Sequence, residues 1–516
     1  MKKHRSIWIA GAIAAYFLLL CLLVAVESAA PPEAGATITT MGQAIWYSLV
    51  TMTTVGYGDA APVTGAGRVI GALFLLLSAG ALTAMISFGV SWFTGAGLPR
   101  FRIRRAGQRP VYIFSHADGA AKALSDNILA ETPEALCLFG EAGSMSPDDS
   151  SRLTVDMSPE EILTLIPEDS PHPTVIFTGE DAEEQLTRMD IPAGVRVICQ
   201  ADRVPENLNP ELQFFDRSGA CACMYWQHYP LTAKEHRVLL VGFGSLGREL
   251  LEQGLLTNIF SPVRVTEYHV FGDTGEFLLD HPQLGASVSI GAPASDRDSL
   301  ILHQQPWNAD EALLLSADRI ILCADDEGEN TDICRRMKIW FPITAKVHLY
   351  CRSHLEDGLT VFGTDSEVLT PEAVLHAGLE RMARQMNENY RAACGGNAPA
   401  WEELSPFLRR SNMASANHLR TKLRYLLEDD TLTEFTPEQL RRAYERFLEL
   451  RQTQPDLCRR IEHDRWVRFH AMYNWRYAPV RDNPRRLHPL MVPFDDLTLA
   501  DQAKDDYAWE LIHSLF

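Results

Sequence analysis

Two long apolar runs, both within the first 95 residues, constrain the fold of this 516-residue chain most strongly. Residues 7–26 carry no charge, and residues 69–93 are interrupted only by Ser, Thr and Gly among their apolar residues. Each run is long enough to cross a bilayer as a helix. A signal peptide is the alternative for the first run, because basic residues precede it, but a signal core is usually shorter, at about 7–15 residues.

The charge pattern around these runs predicts their orientation. Basic residues lie before the first run and, as five arginines, between residues 100 and 109, whereas the segment between the runs has only Arg68. By the positive-inside rule both termini are cytoplasmic, in a multi-pass protein of the cell (plasma or inner) membrane. The formal net charge of −20 belongs to the remaining residues and argues against a nucleic-acid partner.

The segment between the runs, residues 41–59, has the pattern of a short helix followed by an extended loop. Residues 41–52 are too few to cross a membrane, and residues 53–59 (TTVGYGD) hold two glycines one residue apart. Glycine adopts positive φ without steric cost, which lets successive carbonyls point to one axis. Several such loops around that axis would replace the hydration shell of K⁺. The expected ligands are the carbonyls of Thr54, Val55, Gly56 and Tyr57 and the Thr54 hydroxyl.

Residues 53–59 resemble the signature sequence of potassium channels, and the two-run layout resembles the simplest members of that family. The resemblance implies a homotetramer with K⁺ as the permeant ion. The selectivity filter would be formed by Thr54, Val55, Gly56, Tyr57 and Gly58, with Trp46, Tyr47 and Asp59 as supporting residues. Gly80 resembles the hinge glycine of a pore-lining helix, and the alternative is a small residue for close helix packing.

After residue 109 the sequence alternates short apolar runs with helical patterns, which indicates parallel α/β folding. This pattern occurs twice. Apolar runs that begin at residues 111, 174, 195 and 212 recur, in the same order, at residues 238, 319, 346 and 359. A repeat of this length predicts two similar domains rather than a solenoid.

The second copy has a glycine fingerprint directly after its first apolar run, formed by Gly242, Phe243, Gly244, Ser245, Leu246 and Gly247. In a Rossmann-like domain the backbone amides of this turn bind a pyrophosphate, so NAD(H) or an adenine nucleotide is the candidate ligand, with Asp273 as the candidate ribose contact. The alternative is a tight strand–helix turn without a ligand. In the first copy Ser115, Ala117 and Ala120 replace the glycines, and we expect that copy to have lost dinucleotide binding.

Two such domains after a K⁺ pore resemble tandem RCK domains (regulators of K⁺ conductance, of the TrkA-N type). The resemblance implies that four subunits form an eight-lobed gating ring, which pulls on the pore-lining helices through a short linker when a small-molecule ligand binds. The predicted domains are a pore domain (1–98), a basic linker (99–109), two Rossmann-like domains (110–232 and 233–394) and a helical domain (395–516). The fold class is therefore a membrane α domain with two transmembrane helices and a pore helix, two α/β domains, and a mostly α-helical domain.

The C-terminal part loses the strand pattern. Thr370 and Pro371 predict the start of a helix that runs to about residue 393, and residues 395–399 (GGNAP) predict a linker. Helical periodicity follows at residues 401–427 and 437–451. Through the segments EHDRW (462–466), YNWRY (473–477) and LHPL (487–490), residues 456–516 resemble the repeat domain of ryanodine receptors (the RyR domain). Asn474 stands where that family commonly has glycine, and we expect this departure to alter the turn there.

The aromatic and basic residues of this module have two interpretations. Trp466, Trp475, Tyr477, Pro489 and Phe494 have the composition of a hydrophobic core. The alternative is a pocket for an anionic, nucleotide-like signal. Its candidate residues are Trp466, Trp475, Arg476, Tyr477, Arg485, Arg486 and His488, with Arg481.

Together these features predict a ligand-gated, potassium-selective channel and not an enzyme. One alternative is a membrane-anchored NAD-dependent oxidoreductase, although the sequence has no Tyr-xxx-Lys pair. Another is the regulatory subunit of a larger potassium transporter, although a complete filter sequence makes a separate pore unnecessary. The acidic clusters at residues 181–184 and 325–327 are candidates for Ca²⁺ binding, but such clusters are more typical of solvated faces.

Overall fold

The computed structural model divides into two compact units, Met1–Arg105 and Ala106–Phe516. It describes all residues except 1, 54, 75–82, 84–85, 88–89, 91–96, 141–150, 156, 168–170, 180, 191, 193, 202–211, 261–263, 354–358, 377 and 394–397. Only the backbone is described for residues 2–14, 97–99, 379 and 393. Thr54, Gly80 and most of the second apolar run therefore lie outside the described residues.

The first unit is helical. Its described helices include α1 (Lys2–Ser28), α2 (Met41–Met52), α3 (which begins at residue 65 and is described to residue 74) and α4 (Gly97–Arg104). A reciprocal capping box between Thr40 and Gln43 starts α2. The Glu27 carboxylate accepts hydrogen bonds from the backbone N–H groups of Val63 and Thr64, which joins the end of α1 to the start of α3. Within the described part of the chain, no helix is both long and apolar enough to cross a membrane.

The second unit begins with a six-stranded parallel sheet in the order β3-β2-β1-β4-β5-β6. Its strands are β1 (Val111–Phe114), β2 (Leu136–Phe139), β3 (Arg152–Thr154), β4 (Thr174–Phe177), β5 (Arg196–Gln200) and β6 (Leu212–Phe215). The accompanying helices are α5 (Gly119–Glu131), α6 (Pro159–Leu163), α7 (Ala182–Arg188) and α8 (Arg217–His228). This strand order is that of a doubly wound Rossmann fold.

A second parallel sheet follows, in the order β13-β12-β11-β7-β8-β10-β9. Its strands are β7 (Arg237–Val241), β8 (Glu267–Phe271), β9 (Ser289–Ile290), β10 (Ser299–His303), β11 (Arg319–Leu322), β12 (Lys346–Tyr350) and β13 (Thr360–Phe362). Its helices are α9 (Ser245–Thr257), α10 (Phe277–Asp280), α11 (Glu311–Leu315) and α12 (Glu327–Trp340). With β9 as an additional edge strand, the order repeats that of the first sheet. The predicted duplication is confirmed, because β1, β4, β5 and β6 correspond to β7, β11, β12 and β13.

The two Rossmann folds exchange helices. Helix α8 follows the last strand of the first sheet, yet its residues Tyr225 and Trp226 are buried in the core of the second sheet. In the opposite direction, α13 (Asp365–Val368) and α14 (Pro371–Val374) follow the second sheet, yet Leu369 and Val374 are buried in the core of the first. Each sheet is therefore completed by helices from the other copy.

A buried ion pair holds this exchange together. The Arg217 guanidinium at the start of α8 donates hydrogen bonds to the Asp365 carboxylate at 2.7 and 3.1 Å. It also donates to the Gly363 carbonyl at 2.8 Å and to the Tyr350 hydroxyl at 2.7 Å. The side chains of Arg217 and Asp365 are only 6% and 13% exposed, so little water is left to compensate either charge.

The remaining chain is mostly helical. It forms α15 (Gly378–Ala393), α16 (Pro406–Leu427), α17 (Pro437–Thr453), α18 (Pro455–Met472), a strand pair β14 (Arg476–Tyr477) and β15 (Leu487–His488), and the short helices α19 (Leu499–Gln502) and α20 (Tyr507–Glu510). Thr370 caps α14, as predicted, but the single helix expected over 371–393 is divided into α14 and α15. Asn474 adopts φ +63°, and this left-handed conformation is accessible to asparagine as well as to glycine.

These C-terminal helices pack against the second Rossmann fold. The Arg468 guanidinium in α18 donates hydrogen bonds to the Asp298 carboxylate and to the Leu255 carbonyl of α9, and the side chains of Arg468 and Asp298 are both 6% exposed. In α16, the Thr421 hydroxyl donates a hydrogen bond to the carbonyl of Thr257, the last residue of α9. The His418 ring is hydrogen-bonded to the carbonyl of Ile259, two residues later. The predicted boundary at residues 394/395 therefore separates two parts of one compact unit, Ala106–Phe516.

We expect Asp365→Asn to lower the free energy of unfolding by about 3 kcal/mol, because it leaves the buried Arg217 guanidinium without its counter-charge. The shift in apparent melting temperature of the purified protein in detergent measures the effect. Asp332→Asn is the matched control, since the Asp332–Arg335 pair is exposed at the surface and such pairs contribute little. Equal melting temperatures for the two variants would contradict the assigned role of Arg217.

We also expect the second unit to lose stability as the pH falls from about 7 to about 5. Burial lowers the pKa of His348, His418 and His470 to about 3, from an ordinary value of 6.5. Below pH 6.5 these histidines take up protons in the unfolded chain but stay neutral in the folded protein. At about pH 5 each of them therefore lowers the free energy of unfolding by about 2 kcal/mol. Melting temperature against pH measures this loss. His418→Asn should flatten the curve, whereas replacing the exposed His513 should leave its slope unchanged.

Candidate functional site

The loop that follows α2 contains two glycines with left-handed backbone conformations. Gly56 and Gly58 adopt φ +59° and +74°, a region that side chains with a Cβ rarely enter. The Val50 carbonyl near the end of α2 accepts hydrogen bonds from the N–H groups of Val55 (3.1 Å) and Gly56 (3.3 Å), which ties the loop to the helix. The alternation of backbone conformation inferred from the sequence is thus present at both glycines.

Aromatic side chains pack beside this loop. The rings of Trp46 and Tyr57 are stacked at 6.1 Å with an interplanar angle of 2°, and the Trp46 indole N–H donates to the Asp59 carboxylate at 2.9 Å. Tyr47 faces α3 instead, with its ring edge-to-face against Phe74 at 6.4 Å. Trp46 of α2 therefore contacts the loop at both Tyr57 and Asp59, whereas Tyr47 packs α2 against α3.

The glycine fingerprint forms the tight turn between β7 and α9. A Cβ on Gly242 would lie 2.2 Å from the Ala324 nitrogen, and one on Gly247 would lie 2.5 Å from the Gly242 carbonyl oxygen. Phe243 and Leu246 are buried. Asp273 follows β8 and is exposed beside this turn, where its carboxylate accepts the N–H of Gly275. The turn thus leads into the N-terminus of α9, and Asp273 follows β8, the strand that pairs with β7.

A carboxylate of the chain itself occupies the helix N-terminus in this turn. Asp325 accepts the N–H groups of Ser245 at 3.0 Å and Leu246 at 3.2 Å. A Cβ on Gly244 would lie 1.9 Å from the Asp325 carboxylate. Because these amides point at a bound phosphate in a Rossmann nucleotide site, a phosphate and the Asp325 carboxylate would compete for the same donors.

The acidic cluster at 325–327 lies at the surface, as the sequence-based expectation has it, since Asp325 and Asp326 are exposed and Glu327 is half-buried. All three carboxylates also accept hydrogen bonds from backbone N–H groups of the chain. Asp326 caps α12 through the N–H of Gly328, and the Glu327 carboxylate accepts the N–H groups of Arg352 and Ser353. The other cluster, residues 181–184, is exposed at the start of α7 except for Ala182, as expected. Among the described residues no group of three or more His, Cys, Asp or Glu side chains is arranged to hold a metal ion.

The equivalent turn of the first copy lacks the glycines and is also capped internally. Asp118 precedes α5, and its carboxylate accepts the N–H of Ala121 at 2.6 Å and the Thr178 hydroxyl at 3.3 Å. Ser115 and Ala120 are buried where the first and third glycines would stand. The loss of dinucleotide binding in this copy stays a prediction. The Asp118 carboxylate at the start of α5 is consistent with it, because a phosphate would need the same backbone amide.

The residues predicted for the C-terminal pocket separate into three groups. Trp475 and Arg486 line a cavity of about 300 Å³, and Arg481 lies beside them. Trp466 and His488 pack against each other, with ring centroids 4.9 Å apart, and do not line the cavity. The other three predicted residues, Arg476, Tyr477 and Arg485, are exposed and do not line the cavity.

The core interpretation of the same module holds for part of its residues. Trp475 and Phe494 are buried, whereas Trp466 and Pro489 are half-buried. Tyr477 is 57% exposed, so its assignment to the core was wrong. The cavity also has a wall that the sequence did not indicate, contributed by Ser405, Phe407, Leu408 and Arg410 of the α16 N-terminus.

Part of the chain has relatives among known proteins. Residues 5–95 match the sequence model of a family described as "Ion channel". A "Voltage-gated potassium channel" of Aeropyrum pernix is 44% identical over 55 residues, 11% of this chain and 19% of that protein. The "Calcium-gated potassium channel TvoK" of Thermoplasma volcanium is 40% identical over 76 residues, 14% of this chain and 20% of that protein. The chain thus spans about a fifth of the length of each of these curated relatives.

Among solved structures, one described as "GsuK Channel" aligns with 69% of this chain and 95% of its own length. The sequence identity is 13% and the TM-score is 0.36, so this similarity carries no argument about function.

We expect Asp325→Asn to weaken the cap of α9, because a neutral amide offers one acceptor oxygen in place of a charged pair. The predicted loss is about 1–2 kcal/mol, expressed locally at the helix N-terminus. Hydrogen exchange followed by mass spectrometry should show faster exchange in peptides that contain Ser245 and Leu246. Asp332→Asn, an exposed residue of α12, is the control and should leave those peptides unchanged.

Proposed function

We propose that this protein is a subunit of a homotetrameric, potassium-selective channel of the cell membrane with cytoplasmic termini. The observation that carries the proposal is the loop at residues 55–58, where glycines at positive φ alternate with Val55 and Tyr57 directly after α2. This backbone presents consecutive carbonyls as ligands for a dehydrated cation, with K⁺ bound by Thr54, Val55, Gly56 and Tyr57. The match of residues 5–95 to ion channels supports it.

The exposure of the loop in a single chain supports assembly. Val55 is 52% exposed and Tyr57 is 68% exposed, although both are large apolar or aromatic residues. One loop cannot surround an ion, and neighbouring copies of the chain would cover these side chains when four loops meet at one axis. The Trp46–Tyr57 stack and the Trp46–Asp59 hydrogen bond would then hold each loop from behind.

We propose further that the second unit is a cytoplasmic ligand sensor of the RCK type, with an RyR-type C-terminal module. Its two Rossmann folds are joined by buried contacts, so a change at one is transmitted to the other. An NAD(H) or adenine nucleotide at the β7–α9 turn must displace Asp325 from the amides of Ser245 and Leu246. Displacement of that cap is the local event through which a nucleotide would act on the pore, with Gly80 as the proposed hinge.

We expect purified protein in liposomes to pass K⁺ in preference to Na⁺, and Gly56→Ala to abolish this flux, because alanine is strained at φ +59°. Gly35→Ala is a closely matched control. Gly35 has φ +61°, its added Cβ also meets nothing within 4 Å, and it lies outside the loop. Fluorescence of a K⁺- or Na⁺-loaded vesicle reports the flux.

Flux should be measured without nucleotide and with NAD⁺, NADH or ADP, so that a closed pore is not mistaken for an absent one. Selective K⁺ flux in the wild type and Gly35→Ala, but not in Gly56→Ala, supports the proposal. An undiminished K⁺ selectivity in Gly56→Ala, or no K⁺ flux in the wild type under any of these conditions, contradicts it.

A further inference from the structure

We infer that the cavity between the α16 N-terminus and the 473–486 segment binds a small phosphorylated ligand with a planar ring, of the size of a mononucleotide. The cavity has a volume of about 300 Å³, at the lower end of the range for small-molecule sites. Its lining combines aromatic faces with three arginines, which are the two kinds of group that such a ligand requires. The binding site does not depend on the proposed channel function, but the effect of its ligand on a pore does.

The aromatic residues form one wall. Phe407 in the first turn of α16 stacks against Trp475, with ring centroids 5.3 Å apart and an interplanar angle of 27°. Tyr473 stands edge-to-face against Phe407 at 5.6 Å. Because Phe407 is only half-buried and lines the cavity, a planar ring has an aromatic surface on which to stack.

The charged residues of the lining come from both segments, α16 and residues 473–486. Arg410, Arg481 and Arg486 line the cavity, and within the described part of the chain none of their guanidinium groups forms an ion pair with a carboxylate. Arg481 donates to the Asn483 amide oxygen at 2.8 Å, and Arg486 donates to the Tyr473 carbonyl at 2.9 Å. Both bonds are to neutral acceptors, so the positive charge is uncompensated and available to a phosphate.

The acidic groups near the cavity do not cancel this charge. Burial and the neighbouring Glu252 raise the pKa of the Glu249 carboxyl of α9 above its ordinary value, which reduces the negative charge near Arg410. The carboxylate of Asp482 lies 3.7 Å from Arg485, and the carboxylate of Glu252 lies 3.2 Å from His281.

The start of α16 adds to the attraction for an anion. This helix has 22 residues, and Ser405 at its N-cap lines the cavity while accepting the N–H of Leu408. The positive end of a helix of this length therefore faces the same space as the three arginines. Helix dipole, guanidinium groups and aromatic wall all meet in one cavity.

The position of the cavity connects it to the second Rossmann fold. Phe407 and Tyr473 pack against the core cluster that contains the β7 and β8 residues Val238 and Val270. Asn474, next to the cavity wall, donates to the Asp280 carbonyl at the end of α10. A ligand that draws α16 toward the 473–486 segment therefore acts on residues packed directly on the second sheet.

Isothermal calorimetry on the full chain in detergent tests this site with AMP, ADP and GMP as probes. Inorganic phosphate and adenosine serve as the two half-ligands. We expect at least one nucleotide to bind more tightly than either half-ligand. Arg410→Gln and Arg481→Gln should each weaken it about tenfold or more, because each removes a charge-assisted hydrogen bond. Arg485→Gln is the matched control, since Arg485 lies in the same segment, 78% exposed and outside the lining.

Asp325→Asn distinguishes the two candidate nucleotide sites, because it alters the β7–α9 turn and leaves the cavity at the α16 N-terminus intact. Binding that depends on Arg410 and Arg481 but not on Asp325 or Arg485 supports the inference. Three results overturn it: no nucleotide bound up to about millimolar concentration, affinity unaffected by both arginine variants, or binding sensitive only to Asp325→Asn. Calorimetry detects binding whether or not the protein conducts K⁺, so failure of this site and failure of the proposed pore are distinguishable.

Discussion

The buried contact between Arg217 and Asp365 is the interaction on which the architecture of the second unit depends. Arg217 begins the helix that leaves the first sheet for the second, and Asp365 begins the helices that make the reverse exchange. Because the Arg217 charge is removed from water, it depends on Asp365, and Asp365 is in turn also paired with Arg352 at 3.3 Å. The C-terminal helices then pack on the second fold through Arg468 and Asp298, so that Ala106–Phe516 forms one compact unit.

The glycine fingerprint illustrates why a motif alone does not establish a ligand. Gly242, Gly244 and Gly247 each have a structural reason to lack a Cβ, because the atoms of Ala324, Asp325 and the turn itself lie within 3 Å of the position that it would take. The same three glycines would be required for a pyrophosphate to approach the backbone. The turn could therefore be predicted from the sequence. The carboxylate that occupies it, Asp325, could not, because it reaches the turn only through the pairing of β11 with β7.

The duplicated sheets were predictable because their apolar runs recur in the same order, and buried parallel strands produce continuous apolar runs. The exchange of α8 with α13 and α14 was not predictable from the sequence, because an apolar helix face does not reveal which of two equivalent sheets it covers. Likewise, Trp475 and Arg486 were recognised from local composition, but Phe407 and Arg410 are distant in the chain and have no motif of their own. The positive φ of Gly56 and Gly58 was predictable from the sequence, because the residues that determine this loop are contiguous.

The helix exchange also bears on why a copy without its glycines remains in the chain. Tyr225 and Trp226, which belong to that copy by sequence, fill the interior of its neighbour. Deleting the degenerate half would expose the hydrophobic interior of the intact half, and the reverse holds for Leu369 and Val374. A substitution that destabilises one half therefore also removes support from the other, so the two copies form a single cooperative structural module.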